Sequence, residues 1–191
     1  MARFPEILWS LFGCYRLALR DEKALSYFNL SEKGFWSSFT AILVAIPILC
    51  VQNLLGYNFS ATGISLLPFL LLYIVTMVIT WGLYLAAIGF ASKYLNVSDK
   101  FSVFVIVYNW AQVALMALWL PFFILTLGLL GPEITSVFGL LFVVISYVFL
   151  WFVLKATLEI PGPTAAALAF LEFIFSLTAQ QIFYSLLPTF A

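Results

Sequence analysis

Residues 101–158 read FSVFVIVYNWAQVALMALWLPFFILTLGLLGPEITSVFGLLFVVISYVFLWFVLKATL, and how this stretch is divided decides the fold. It is apolar almost throughout, with Glu133 and Lys155 as its only charged residues. Gly131–Pro132 is turn chemistry in the middle of it, and predicts two membrane spans, 101–129 and 134–156. Pro121 is a candidate kink within the first of them. The segment on either side extends the pattern. Turn residues at 57–63, 92–100 and 161–163 set off three further apolar runs, approximately 36–56, 66–91 and 163–188. The expected fold is all-α: a polytopic membrane protein with a five-helix transmembrane domain over residues 35–191, preceded by a cytoplasmic segment over 1–34.

Composition agrees with a lipid environment. Of 191 residues, 65% are hydrophobic and 8% charged, against about 45–50% and about 25% in soluble domains. Eight basic residues and a net charge of zero provide no broad basic surface for nucleic acid. The absence of histidine removes the usual metal ligand and general base. Neither a metal site nor a cofactor motif is expected, and no nucleophile has an adjacent base. Cys14 and Cys50 lie too far apart in depth for a disulfide.

The 1–34 segment carries an amphipathic pattern. In a helix over residues 5–23, Ile7, Leu8, Leu11, Phe12, Tyr15 and Leu19 share one arc, while Arg16, Arg20 and Lys23 share the opposite one. This predicts a helix lying in the membrane interface, its basic face toward anionic lipid headgroups. A soluble cap packed on the bundle is the alternative. Asn29 or Ser31 is the expected N-cap before the first span. Counting basic residues by side, a five-span chain places all eight on one face, so the amino terminus is expected in the cytoplasm and the carboxyl terminus outside.

One carboxylate interrupts the last span. Glu172 lies on a stripe of small and polar residues, Ala165, Ala169, Glu172, Ser176 and Ala179, which should face other helices. Depth counting brings Asn109, Gln112, Thr80 and Tyr147 to its level as an intramembrane polar cluster with Ser176. Two roles are open to the same residues. Interhelical glue is one, at about 0.6 kcal/mol per hydrogen bond; a proton- or ion-linked site in a small transporter or channel is the other.

AspLysPhe at 99–101, TyrAsnTrp at 108–110, TrpPheValLeuLys at 151–155 and ProGlyProThrAlaAlaAla at 161–167 are arranged in a way that resembles the Yip1-domain membrane proteins, particularly their small bacterial branch. The acidic-Leu-Tyr-Gly-Pro motif of eukaryotic members is absent, so small-GTPase partners are not implied. The resemblance implies a non-enzymatic accessory or organising protein of the bacterial inner membrane. It would associate with membrane lipids and with a larger membrane complex or further copies of itself.

Overall fold

The computed structural model describes residues 4–59 and 65–187. Arg3, most of the 57–63 break and the end of the expected fifth span lie outside them. Among the described residues the chain is helical: α1 (Phe4–Ala18), α2 (Glu32–Ser38), α3 (Thr40–Phe59), α4 (Leu66–Tyr94), α5 (Phe101–Leu158) and α6 (Gly162–Leu186), with 3-10 turns at Ala24–Tyr27 and Ser98–Lys100. Four helical stretches are long and apolar enough to cross a membrane: Glu32–Leu55, Leu66–Tyr94, Ser98–Leu158 and Gly162–Leu186.

The third of these is not straight. A continuous α5 would extend about 87 Å, nearly three times a hydrocarbon core of about 30 Å. Gly131 breaks it, with φ 81° and ψ 174°, a region that only glycine occupies readily. The side chains then pair in register about that residue. Trp119 stacks on Phe142 with ring centroids 4.8 Å apart, Phe122 meets Phe138 edge-on at 5.4 Å, and Lys100 pairs with Glu159 at the open end. Each pair is nearly symmetric about residue 130, so the two halves of α5 form an antiparallel hairpin. Pro121 lies inside the first half without a non-helical backbone, so the turn is the glycine's alone.

The first half of that hairpin is the centre of the molecule. Every residue from Phe104 to Ala111 is buried, which requires neighbours on all sides of the helix. Ala41 and Ala45 of α3 and Tyr84 and Ile88 of α4 belong to the same core. α4 and α6 run antiparallel, with Tyr84 beside Leu168 at one end and Phe69 and Tyr73 against Phe183 at the other. The α5–α6 connection is closed by the Trp151 indole, which donates to the Gly162 carbonyl at 2.8 Å. Gly82 and Ala86, small residues suited to helix packing, face outward on α4.

α1 ends at Ala18 rather than continuing to residue 23, because Arg20 takes a left-handed backbone with φ 60°. Its packed face is Ser10, Gly13, Cys14 and Leu17. A side chain at Gly13 would come within 2.5 Å of the Phe28 ring, so the close approach depends on glycine. Burial pushes the Cys14 thiol up to about 12. Of the apolar arc expected from the sequence, Ile7 and Leu11 rest partly against the core, whereas Leu8, Phe12, Tyr15 and Leu19 remain exposed. α1 thus joins the bundle by its small residues and leaves its bulkiest ones outside.

Candidate functional site

Glu172 lies about 15 Å along α6 from Gly162, on the face where Ala165 and Ala169 are buried. Ser176, one turn on, donates its hydroxyl to Glu172 Oε1 at 3.2 Å. Tyr147, from the second half of α5, presents its hydroxyl to the same carboxylate and to Ser176, and its ring meets Phe173 edge-on at 5.4 Å. Tyr84 of α4 and Tyr108 of α5 are buried between these helices. Their rings are 5.2 Å apart, and the Tyr84 hydroxyl donates to the Leu168 carbonyl, one turn before Glu172, at 3.2 Å. Glu172 is half-buried, so this is a carboxyl group met by the Ser176 and Tyr147 hydroxyls with one side incompletely covered.

Asn109 belongs to a different network. Its Oδ1 accepts from the Trp81 indole at 2.9 Å, and its Nδ2 donates to Ser38 Oγ, also at 2.9 Å. Ser38 in turn donates to the Phe35 carbonyl at 2.7 Å. Three hydrogen bonds through four residues therefore run in one direction from α4 through α5 to α2, an arrangement in which each bond polarises the next. Tyr108 and Asn109 are consecutive, hence about 100° apart around the helix, and this is why the first reaches the Glu172 side and the second does not.

The remaining expected members divide similarly. Gln112 is half-buried beside Tyr108. Thr80 hydrogen-bonds back to the Thr76 carbonyl at 2.8 Å, inside its own helix. Glu172, Ser176 and Tyr147 are thus brought together, Gln112 stays with Tyr108, and Asn109 and Thr80 are engaged elsewhere. Depth counting along α4 from Thr80 reaches Tyr84 at this level, whereas Tyr108, Trp81 and Ser38 were not expected there. Their tips meet only once three helices are packed.

At the amino-terminal end Arg16 forms an ion pair with Asp21, its Nε donating to Oδ2 at 2.6 Å. The backbone N–H of Lys23 and the Arg16 guanidinium together hold the Asp21 carboxyl below its ordinary range, and the same pairing raises Arg16. Arg20 lies past the helix end with its guanidinium 4.6 Å from the centroid of the Phe152 ring, and Lys23 is exposed. Glu6 ties α1 to the loop before α2 and to α2 itself, accepting from Asn29 Nδ2 at 3.1 Å and from Ser37 Oγ at 2.7 Å. Ser31 is the N-cap of α2, accepting from the Gly34 N–H at 3.1 Å, while the Asn29 side chain accepts from Ser31.

Chemically, the site is one carboxyl group with two hydroxyls, Ser176 and Tyr147, directed at it, suited to holding helices in register or to keeping a proton. Among the described residues no group of three His, Cys, Asp or Glu side chains converges as a metal ligand set would. No family model matches this chain, and neither the curated proteins nor the solved structures contain a match to it.

Proposed function

We propose that the chain is a non-enzymatic, five-pass membrane protein of the Yip1-like kind. In this reading it associates laterally with a larger membrane complex or with further copies of itself, in the bacterial inner membrane. The observation that carries the reading is the outer side of the second half of α5. Val137, Leu140, Leu141, Val144 and Val148 recur at spacings of three and four and are 52–70% exposed. Branched aliphatic side chains at this spacing form the ridges and grooves that a second helix packs into. The polar interior supports the same view, because Asn109 and Tyr84 are consumed in interhelical bonds rather than left facing a substrate. With five crossings all eight basic residues fall on one side, which puts the amino terminus in the cytoplasm and the carboxyl terminus outside.

Lipid and protein neighbours are separated by one substitution pair. Acyl chains accommodate an added indole, whereas a docked helix does not. Wild type, Leu140→Trp/Val144→Trp and Glu172→Gln are purified gently from native membranes, and co-purifying proteins are identified by mass spectrometry. The expected result is a stoichiometric partner, or a self-associated form, that is lost in the tryptophan pair and retained in Glu172→Gln. A solitary wild-type protein contradicts the proposal. So does a partner indifferent to both indoles.

A second reading, a small transporter or channel working through Glu172, is favoured by one feature: the carboxyl group is only half-buried beside the Tyr147 phenol. Proteoliposome flux that disappears in Glu172→Gln would select it.

A further inference from the structure

Two cations at one end of the bundle are each held against an aromatic ring of α5. The two ion pairs among the described residues, Arg16–Asp21 and Lys100–Glu159, neutralise their own neighbourhoods. Arg20 and Lys155 belong to neither. The Arg20 guanidinium is 4.6 Å from the Phe152 ring centroid, and Lys155 Nζ is 5.5 Å from that of Trp151. Phe152 and Lys155 are three residues apart on α5 and so occupy the same side of that helix, one turn from each other. Residues separated by more than 130 positions therefore place two unpaired positive charges on adjacent rings of α5, Phe152 and Trp151, whose centroids are 4.9 Å apart.

Both charges are held there by structure. Arg20 adopts φ 60°, its N–H bonds the Leu17 carbonyl at 2.9 Å, and the next N–H bonds the Arg16 carbonyl at 3.0 Å. The Arg16–Asp21 pair locks the same turn. That backbone turn carries the Arg20 side chain from the end of α1 back to α5. A guanidinium over a ring uses its face for the cation–π contact and leaves the in-plane N–H donors free, in the fork that matches two phosphate oxygens. The Lys155 ammonium adds a point charge one turn away. The depth also suits a headgroup: Lys155 is three residues from the end of α5, and Trp151 next to it is the kind of residue that anchors at the headgroup level.

We infer that Arg20 and Lys155 form a binding site for the phosphate of an anionic phospholipid, built between the exit of α1 and the last turns of α5. This rests on the chain being embedded in a bilayer and is independent of any protein partner. Arg16, although basic and on α1, is excluded by its own carboxylate, and exposed Glu22 faces no ion-pair partner that would draw it into the site.

The test uses the full chain in mild detergent, supplied with equal amounts of dioleoyl phosphatidylglycerol and dioleoyl phosphatidylcholine, with bound lipid counted by native mass spectrometry. Wild type should retain the anionic lipid preferentially. Arg20→Gln/Lys155→Gln should lose roughly 30-fold in that preference, two basic contacts at about 1 kcal/mol each. Lys33→Gln/Lys93→Gln, which removes as much charge elsewhere, should keep it. Phe152→Leu preserves every charge but removes the platform under Arg20, and should weaken the preference. An undiminished preference in Arg20→Gln/Lys155→Gln with native helical signal overturns the inference, as does an equal loss in Lys33→Gln/Lys93→Gln. Displacement of the lipid by millimolar inorganic phosphate overturns the lipid as the source of that group. A chain that stays dispersed without detergent refutes membrane embedding itself, a separate result from any change in lipid preference.

Discussion

Asn109 and Glu172 are both polar side chains in apolar helices, yet they are held in different ways. Asn109 is fully buried and joins three helices through two hydrogen bonds of 2.9 Å. Glu172 is half-buried and takes its best-defined bond, at 3.2 Å, from a residue of its own helix. Replacing Asn109 with Leu strands the Trp81 N–H in a medium without water, a loss of about 1–3 kcal/mol. Glu172→Gln keeps an acceptor for Ser176 and should cost less than about 1 kcal/mol. Unfolding midpoints in mixed detergent measure both; a larger loss for Glu172→Gln would reverse this ranking of the two networks. The side of α6 that faces its neighbours was legible, since small and polar residues recur at helical spacing around Glu172. Ser176 and Tyr147 were legible as its partners too, but not that Asn109 and Thr80 are engaged elsewhere, because depth counting ranks residues along an axis and says nothing about the 100° turn that sends Tyr108 one way and Asn109 another.

At the scale of elements, the hairpin of α5 rests on Gly131. Its φ of 81° excludes a side chain, although nothing lies within 4 Å of where a Cβ would stand. Gly131→Ala should therefore lose about 1–3 kcal/mol through backbone strain alone. Gly128→Ala, three residues earlier within the helix and equally open, should be neutral or stabilising by up to about 1 kcal/mol. Equal effects in the same unfolding measurement would mean that the turn is not where the strain is held. The break was legible from Gly131–Pro132 because turn residues inside a long apolar run have few other uses. The orientation of α1 was less so: hydrophobic periodicity marks the bulky arc, whereas Ser10, Gly13 and Cys14 pack because they are small enough for Phe28 and α5 to come close. In a chain this rich in apolar residues, an apolar residue need not be a buried one.

At the scale of the whole molecule, exposed aliphatics surround a core centred on the first half of α5, and the described basic residues gather at one end. That arrangement is expected if each long apolar stretch crosses the bilayer and α5 crosses it twice. The hairpin register, from Lys100–Glu159 through Trp119–Phe142 to the turn at Gly131, places the exposed Glu133 at the far end from exposed Lys93. The most direct test is single-cysteine labelling. Cys14 and Cys50 are first replaced, and Glu133→Cys and Lys93→Cys are then probed with a membrane-impermeant maleimide in intact cells and in inverted vesicles. The five-pass topology predicts that Glu133→Cys is labelled in intact cells and Lys93→Cys only in inverted vesicles. Labelling of both from the same side would contradict that topology and the function proposed from it.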